Sequence, residues 1–73
     1  MARMTVKQRK AEATEYARRL AHAMHRSRVE SGRVSWYVHA YPLYTGHIEP
    51  VLGQEKALAT VRGFVEALEG VRS

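Results

Sequence analysis

Cysteine is absent from this 73-residue chain, which excludes disulfide bonds, thiolate metal sites and cysteine nucleophiles together. The chain also has no apolar run approaching the roughly 18 residues that a membrane-spanning helix needs. Its charged N-terminus, MARMTVKQRK, is not followed by the apolar segment that a secretory signal requires. We therefore expect a cytoplasmic protein with no membrane partner.

Motifs that would carry chemistry are missing as well. The sequence contains no phosphate-binding loop, no metal-ligand spacing and no nucleophile placed in a known catalytic signature. Hydrophobic residues make up 45% and charged residues 26% of the chain, which is typical of a folded protein. We expect residues 1–73 to form a single small domain that is not an enzyme and holds no cofactor.

The first helix is predicted from a capping box. The Thr5 hydroxyl can accept from the Gln8 amide, while the Gln8 side chain can reach back to the Thr5 amide. An apolar stripe with helical spacing follows, so the helix is expected to run from about Val6 to Arg28. Gly32 suits the left-handed position that ends many helices.

A second amphipathic helix is predicted from about residue 54 to residue 69. Leu58, Val61, Val65 and Leu68 recur at helical spacing, and Gly70 suits the end of the helix. Gly53 is expected to form the turn that precedes it.

Between the helices, residues 33–52 show the two-residue alternation of a half-buried strand. We interpret this stretch as an antiparallel β-hairpin whose loop is formed by residues 42–46, because Pro42 would end the pairing and Gly46 is permissive. The side chains predicted to face the core are Val34, Trp36, Val38, Ala40, Ile48 and Leu52.

The fold class that follows is α+β, in the order helix–strand–strand–helix (αββα). Both helices would pack on one face of the hairpin, and the predicted core comprises Trp36, Val38, Ile48, Leu52, Tyr16, Leu20, Val61, Phe64 and Leu68. Because a two-stranded sheet is marginal alone, we also expect a homodimer. It would form by edge pairing into a four-stranded sheet, or by contact between the first helices.

The net charge of +5 is concentrated in the first part of the chain. Residues 1–30 hold eight Lys or Arg against three Glu, whereas residues 31–73 hold four against four. Such a cluster can bind nucleic-acid phosphates or an acidic protein, or can simply be a solvated helix face. The cluster consists of Arg18, Arg19, His22, His25, Arg26 and Arg28.

The outer face of the predicted hairpin is a second candidate interface. It would carry Tyr37, His39, Tyr41, His47 and Glu49, which could stack on bases, pack on a partner, or be covered by a helix or a second subunit. Two chemical alternatives are weaker. His39 opposite Glu49 could act as an acid/base pair, and His22 with His25 could bind a metal if His47 or Glu49 completed the site.

These observations predict a small non-enzymatic binding or regulatory protein that associates with nucleic acid through its basic helix. The alternative is a protein-binding adaptor or inhibitor that acts on an acidic partner, of the compact accessory type that phages and mobile elements encode. The sequence does not choose between DNA, RNA and protein as the partner.

Overall fold

A computed structural model describes residues 5–72, with side chains as far as Gly70, and all regular secondary structure in that range is helical. Two long α-helices enclose a series of short helical turns. In chain order the elements are α1 (Val6–Arg26), a 3₁₀ turn (Ser31–Arg33), α2 (Val34–Tyr37), a second 3₁₀ turn (Val38–Ala40), a π turn (Tyr44–Ile48), α3 (Glu49–Leu52) and α4 (Gln54–Arg72).

The two long helices run in the same direction. At one end, α3 lies beside the first turns of α1, where Val6 and Pro50 line the same small hollow. At the other end, the Ser31 amide, which follows α1, donates to the Glu69 carboxylate near the end of α4 at 2.8 Å. The segment 27–53 therefore returns the chain from one end of the molecule to the other, and it contacts both helices.

The predicted start of α1 is confirmed. The Thr5 amide donates to Gln8 Oε1 at 2.8 Å, and the Gln8 amide donates to Thr5 Oγ1 at 3.1 Å, which completes the capping box. One stripe of the helix is buried against the rest of the molecule and is rich in small residues, so the neighbouring backbone can approach closely. It consists of Ala13, Ala17, Leu20, Ala21 and Met24.

The end of α1 differs from the prediction. The helix ends at Arg26, and the left-handed residue is Arg28, with φ 62°, instead of Gly32. The Val29 amide donates to the Met24 carbonyl at 2.9 Å and the Arg28 amide to the His25 carbonyl at 3.0 Å. This is the Schellman pattern, and the buried side chains of Val29 and Met24 supply the apolar contact that accompanies it.

The predicted β-hairpin and the αββα fold are wrong, because residues 33–52 form helical turns and the part of the chain from Thr5 to Arg72 contains no strand. Val34 and Val38 are buried as expected, but a spacing of four residues fits one helical turn as well as a strand. Trp36 distinguishes the two, since a strand would place it with the valines. It is 86% exposed, and Ala40 is exposed too.

The prolines fit the helical structure. Tyr41 is extended, with φ −108° and ψ 113°, as expected for a residue that precedes proline. Helical backbone then resumes at Pro42. Pro50 lies in the first turn of α3, where its missing amide leaves no hydrogen bond unmade. Both prolines therefore lie at helix starts, whereas the hairpin interpretation used Pro42 to end the strand pairing.

The core lies between α1, α4 and the returning segment. Leu20, Val38, Ile48 and Val61 are buried as predicted, while the predicted core residues Tyr16, Leu52, Phe64 and Leu68 are partly buried against it. Tyr44 was assigned to a loop, but it is the largest fully buried side chain. Compared with the predicted core, the observed core therefore includes Tyr44 and does not include Trp36.

The second long helix begins where the sequence predicts. Gly53 precedes it with φ 85° and ψ 155°, and the Ala57 amide donates to the Gly53 carbonyl at 2.9 Å. The helix then continues through Gly70 to Arg72, so it extends beyond the predicted end near residue 69. No helix within residues 5–72 combines the length and apolarity needed to cross a membrane.

Candidate nucleic-acid interface

The basic cluster lies on the side of α1 that faces away from the core. At about 100° per residue, His22 and Arg26 lie nearly half a turn from the middle of the buried stripe, and Arg18 lies about a third of a turn from it. Four members of the cluster line one shallow recess of about 500 Å³, and we call them the basic face: Arg18, Arg19, His22 and Arg26. All four are exposed.

The other two members of the predicted cluster lie at its margin. His25 is half-buried on the edge of α1, and Arg28 is exposed beyond the helix end. The basic face therefore faces solvent, as does Arg28. Near a helix C-terminus these cations also interact favourably with the helix dipole.

Glu15 partly neutralises the basic face. The Arg18 guanidinium forms a two-point contact with its carboxylate, at 3.0 Å from Nε and 2.5 Å from Nη2, and Arg19 Nε lies 3.6 Å away. The hydrogen bond from Arg18 lowers the pKa of Glu15, and the same bond raises the pKa of Arg18. These are exposed pairs that add little stability, but they occupy Arg18 and leave Arg19 and Arg26 open to solvent.

An aromatic row adjoins the basic face. The Arg19 guanidinium carbon lies 5.9 Å from the centre of the Tyr16 ring, and the Tyr16 and His47 rings are 5.0 Å apart between centroids and tilted by 34°. His47 is exposed on the π turn, a type of distortion that often occurs at functional sites. The row joins residues of α1 to residues of the returning segment.

The predicted hairpin interface does not exist as one surface. Tyr37 is on α2 and 37% exposed, and exposed His39 meets the edge of the Tyr44 ring at 6.2 Å between centroids. Tyr41 and Glu49 are half-buried, and His47 belongs to the aromatic row. The strand register that set His39 opposite Glu49 is absent, so the acid/base pair loses its basis.

Sequence reasoning missed a recess at the exposed tryptophan. Gly32, Arg33, Trp36 and Tyr37 line a volume of about 350 Å³. The available signal was the helical spacing of Val34 and Val38, which turns Trp36 outward. Because the recess combines a guanidinium with two aromatic rings, it can hold a flat or anionic group.

Metal binding finds no support in the described residues, where no group of three or more His, Cys, Asp or Glu side chains comes together. His22 lies on the basic face and His47 in the aromatic row, so each has a different environment.

No protein family matches the chain, and no curated protein or solved structure matches it either.

Proposed function

We propose that the protein is a small non-enzymatic nucleic-acid-binding protein, and that the basic face of α1 contacts the phosphate backbone. The observation that carries the proposal is the aromatic row beside that face, where Arg19, Tyr16 and His47 follow one another within ring-contact distance. Guanidinium groups bind phosphates and release counterions, and aromatic rings stack on bases. An interface with an acidic protein requires only the first of these.

The charge of the basic face sets the expected strength of binding. Arg18, Arg19 and Arg26 carry three positive charges against the single carboxylate of Glu15, which leaves two. If Arg19 and Arg26, the two arginines that Glu15 leaves open, contact phosphates of a duplex, affinity should fall about 12-fold between about 50 mM and 200 mM salt. Such a protein would bind in a salt-dependent way with modest sequence preference.

A titration of the full chain with a labelled duplex at these two salt concentrations tests the proposal. We expect binding at the lower concentration and a loss of the stated size at the higher one. Polyglutamate of equal charge serves as the control, because it offers negative charge without bases. Absence of binding at low salt by both this duplex and a single-stranded oligonucleotide would contradict the proposed function.

The second candidate function is a protein-binding adaptor or inhibitor that docks the basic face on an acidic partner. The exposure of Arg19 and Arg26 suits this function too. The hairpin aromatics no longer support it as a group, since they do not share a surface. Polyglutamate binding that is tighter than duplex binding would favour this candidate.

The homodimer remains a prediction, but only one of the two contacts proposed for it is still possible. Edge pairing is removed, because the described residues include no strand. Contact between two copies of α1 would have to avoid the basic face, since like charges repel across an interface. Val6, in the first turn, is 70% exposed and is the large apolar side chain that α1 offers for such a contact.

A further inference from the structure

Trp36 is the only tryptophan of the chain, and it is 86% exposed. Val34 and Val38 anchor this part of the chain in the core and turn Trp36 toward solvent. Burial of an indole ring is among the largest apolar contributions that a small protein can use. An indole left outside a core of this size is therefore available for a ligand.

The surroundings of Trp36 form an open recess. Tyr37 supplies a second, partly exposed ring and Arg33 an exposed guanidinium, while Gly32 has no side chain and nothing within 4 Å of the place where one would begin. The recess of about 350 Å³ lies within the roughly 300 to 1,000 Å³ of small-ligand sites. Among the described residues, its lining contains one cation and no acid.

The recess lies at the same end of the molecule as the end of the basic face. Arg26 is the last residue of α1. The 3₁₀ turn that carries Arg33 begins at Ser31, whose amide donates to the Glu69 carboxylate near the end of α4. Two acids, Glu30 and Glu69, also occur at this end. The three arginines, with Arg28 between the other two in the chain, still outnumber them.

We propose that Trp36 is a stacking platform for an unpaired nucleobase and that Arg33 binds the adjacent phosphate. This rests on the proposed function and adds a preference for single-stranded or looped nucleic acid. A nucleotide fits because it pairs a flat ring with a negative charge. A cationic ligand would be repelled by Arg33, and an apolar side chain would cover that guanidinium without pairing it.

The fluorescence of Trp36 gives a direct readout, because no other tryptophan contributes. We expect an oligothymidylate of about 12 nucleotides to quench it at about 50 mM salt. Trp36→Ala should weaken binding of this oligonucleotide about 5- to 150-fold, the effect of losing one stacked base. Duplex affinity should stay within about twofold, since paired bases are not available to stack.

Two further variants separate stacking from other effects. Trp36→Phe retains a π face and should keep most of the affinity, whereas Trp36→Leu retains apolar bulk without that face and should resemble Trp36→Ala. Since the side chain is exposed, all three variants should keep the wild-type circular dichroism spectrum. Equal affinities of Trp36→Leu and Trp36→Phe would overturn stacking as the cause.

The outcomes distinguish this inference from the proposed function. Salt-dependent binding of the oligonucleotide with unchanged Trp36 fluorescence and no effect of Trp36→Ala would overturn the platform alone. Absence of binding by both nucleic acids at low salt would overturn the proposed function and the platform with it. Polyglutamate that quenches Trp36 as strongly as the oligonucleotide would show that the recess takes an acidic chain and would also overturn the platform.

Discussion

At the residue scale, Tyr44 combines complete burial with a titratable hydroxyl. That hydroxyl donates to the Gln54 carbonyl over a long 3.5 Å, and the Tyr44 and His39 rings are nearly perpendicular, at 85°. Burial raises the pKa of Tyr44, and the nearby Glu49 carboxylate raises this pKa further, because a second negative charge beside it is disfavoured. The folded state therefore favours the protonated form of the Tyr44 side chain.

This environment predicts a loss of stability in alkali. An unfolded tyrosine has a pKa of about 10, and the folded pKa of Tyr44 lies above it. The contribution is therefore fully present below a pH of about 10 and is lost as the pH rises through the folded pKa. We expect the free energy of unfolding, measured in urea at increasing pH, to fall more steeply for the wild type than for Tyr44→Phe.

Tyr37→Phe is the matched control for this measurement. It removes one tyrosine hydroxyl from a partly exposed ring outside the core. The alkaline slope of Tyr44→Phe should differ from that of the wild type by more than the slope of this variant does. Equal slopes for all three proteins would show that Tyr44 titrates as it does in the unfolded chain.

At the scale of the elements, Gly53 determines how α3 passes into α4. Its φ of 85° and ψ of 155° lie in a region that is essentially restricted to glycine. The space around it is open, since nothing lies within 4 Å of an added Cβ. Gly63, inside α4, has equally open surroundings but helical backbone.

Alanine substitutions at these two glycines should therefore change stability in opposite directions. Gly53→Ala should lower the free energy of unfolding by about 1 to 3 kcal/mol, because the backbone becomes strained. Gly63→Ala should raise it by up to about 1 kcal/mol through helix propensity. Chemical denaturation measures both, and destabilisation of similar size at both positions would contradict the assigned turn.

An element could be predicted from the sequence when the residues that determine it are close together in the chain. The starts of α1 and α4 were predictable because a capping box, a glycine and a helical stripe are local signals. Residues 33–52 were not, since Val34 and Val38 fit both periods and Pro42 was interpreted as the end of a strand. The exposure of Trp36 follows from the helical spacing of Val34 and Val38, which the strand interpretation did not use.

The candidate site follows the same rule. The basic face was predictable because its residues share one helix, and helical spacing alone places them together. The contact of Tyr16 with His47 was not, because it joins α1 to a π turn that is distant in the sequence. Glu15 lies three residues before Arg18, so helical spacing places this pair together too, and the structure supplies its geometry.

At the scale of the whole molecule, α1 and α4 differ in their exposed charges. The basic face points away from the core, whereas α4 carries exposed charges of both signs, including Arg62 and Glu66. Binding through the basic face and binding through net charge alone are therefore different hypotheses. Substitutions that change the net charge by the same amount, made on α1 in one case and on α4 in the other, distinguish these two hypotheses.

The most direct test of the proposed function is the slope of the logarithm of duplex affinity against the logarithm of salt concentration. It compares the wild type with Glu15→Gln and Arg26→Gln on α1, and with Glu66→Gln and Arg62→Gln on α4. From the net charge of +5, removal of one carboxylate gives +6 and removal of one guanidinium gives +4, so the two pairs match.

We expect Arg26→Gln to reduce the slope by about 0.9, since one phosphate contact is lost. Glu15→Gln should increase it by up to about 0.9, because Arg18 is released for a phosphate. Both α4 variants should keep the wild-type slope. Slopes that group by net charge regardless of the helix would contradict the assignment of nucleic-acid binding to the basic face.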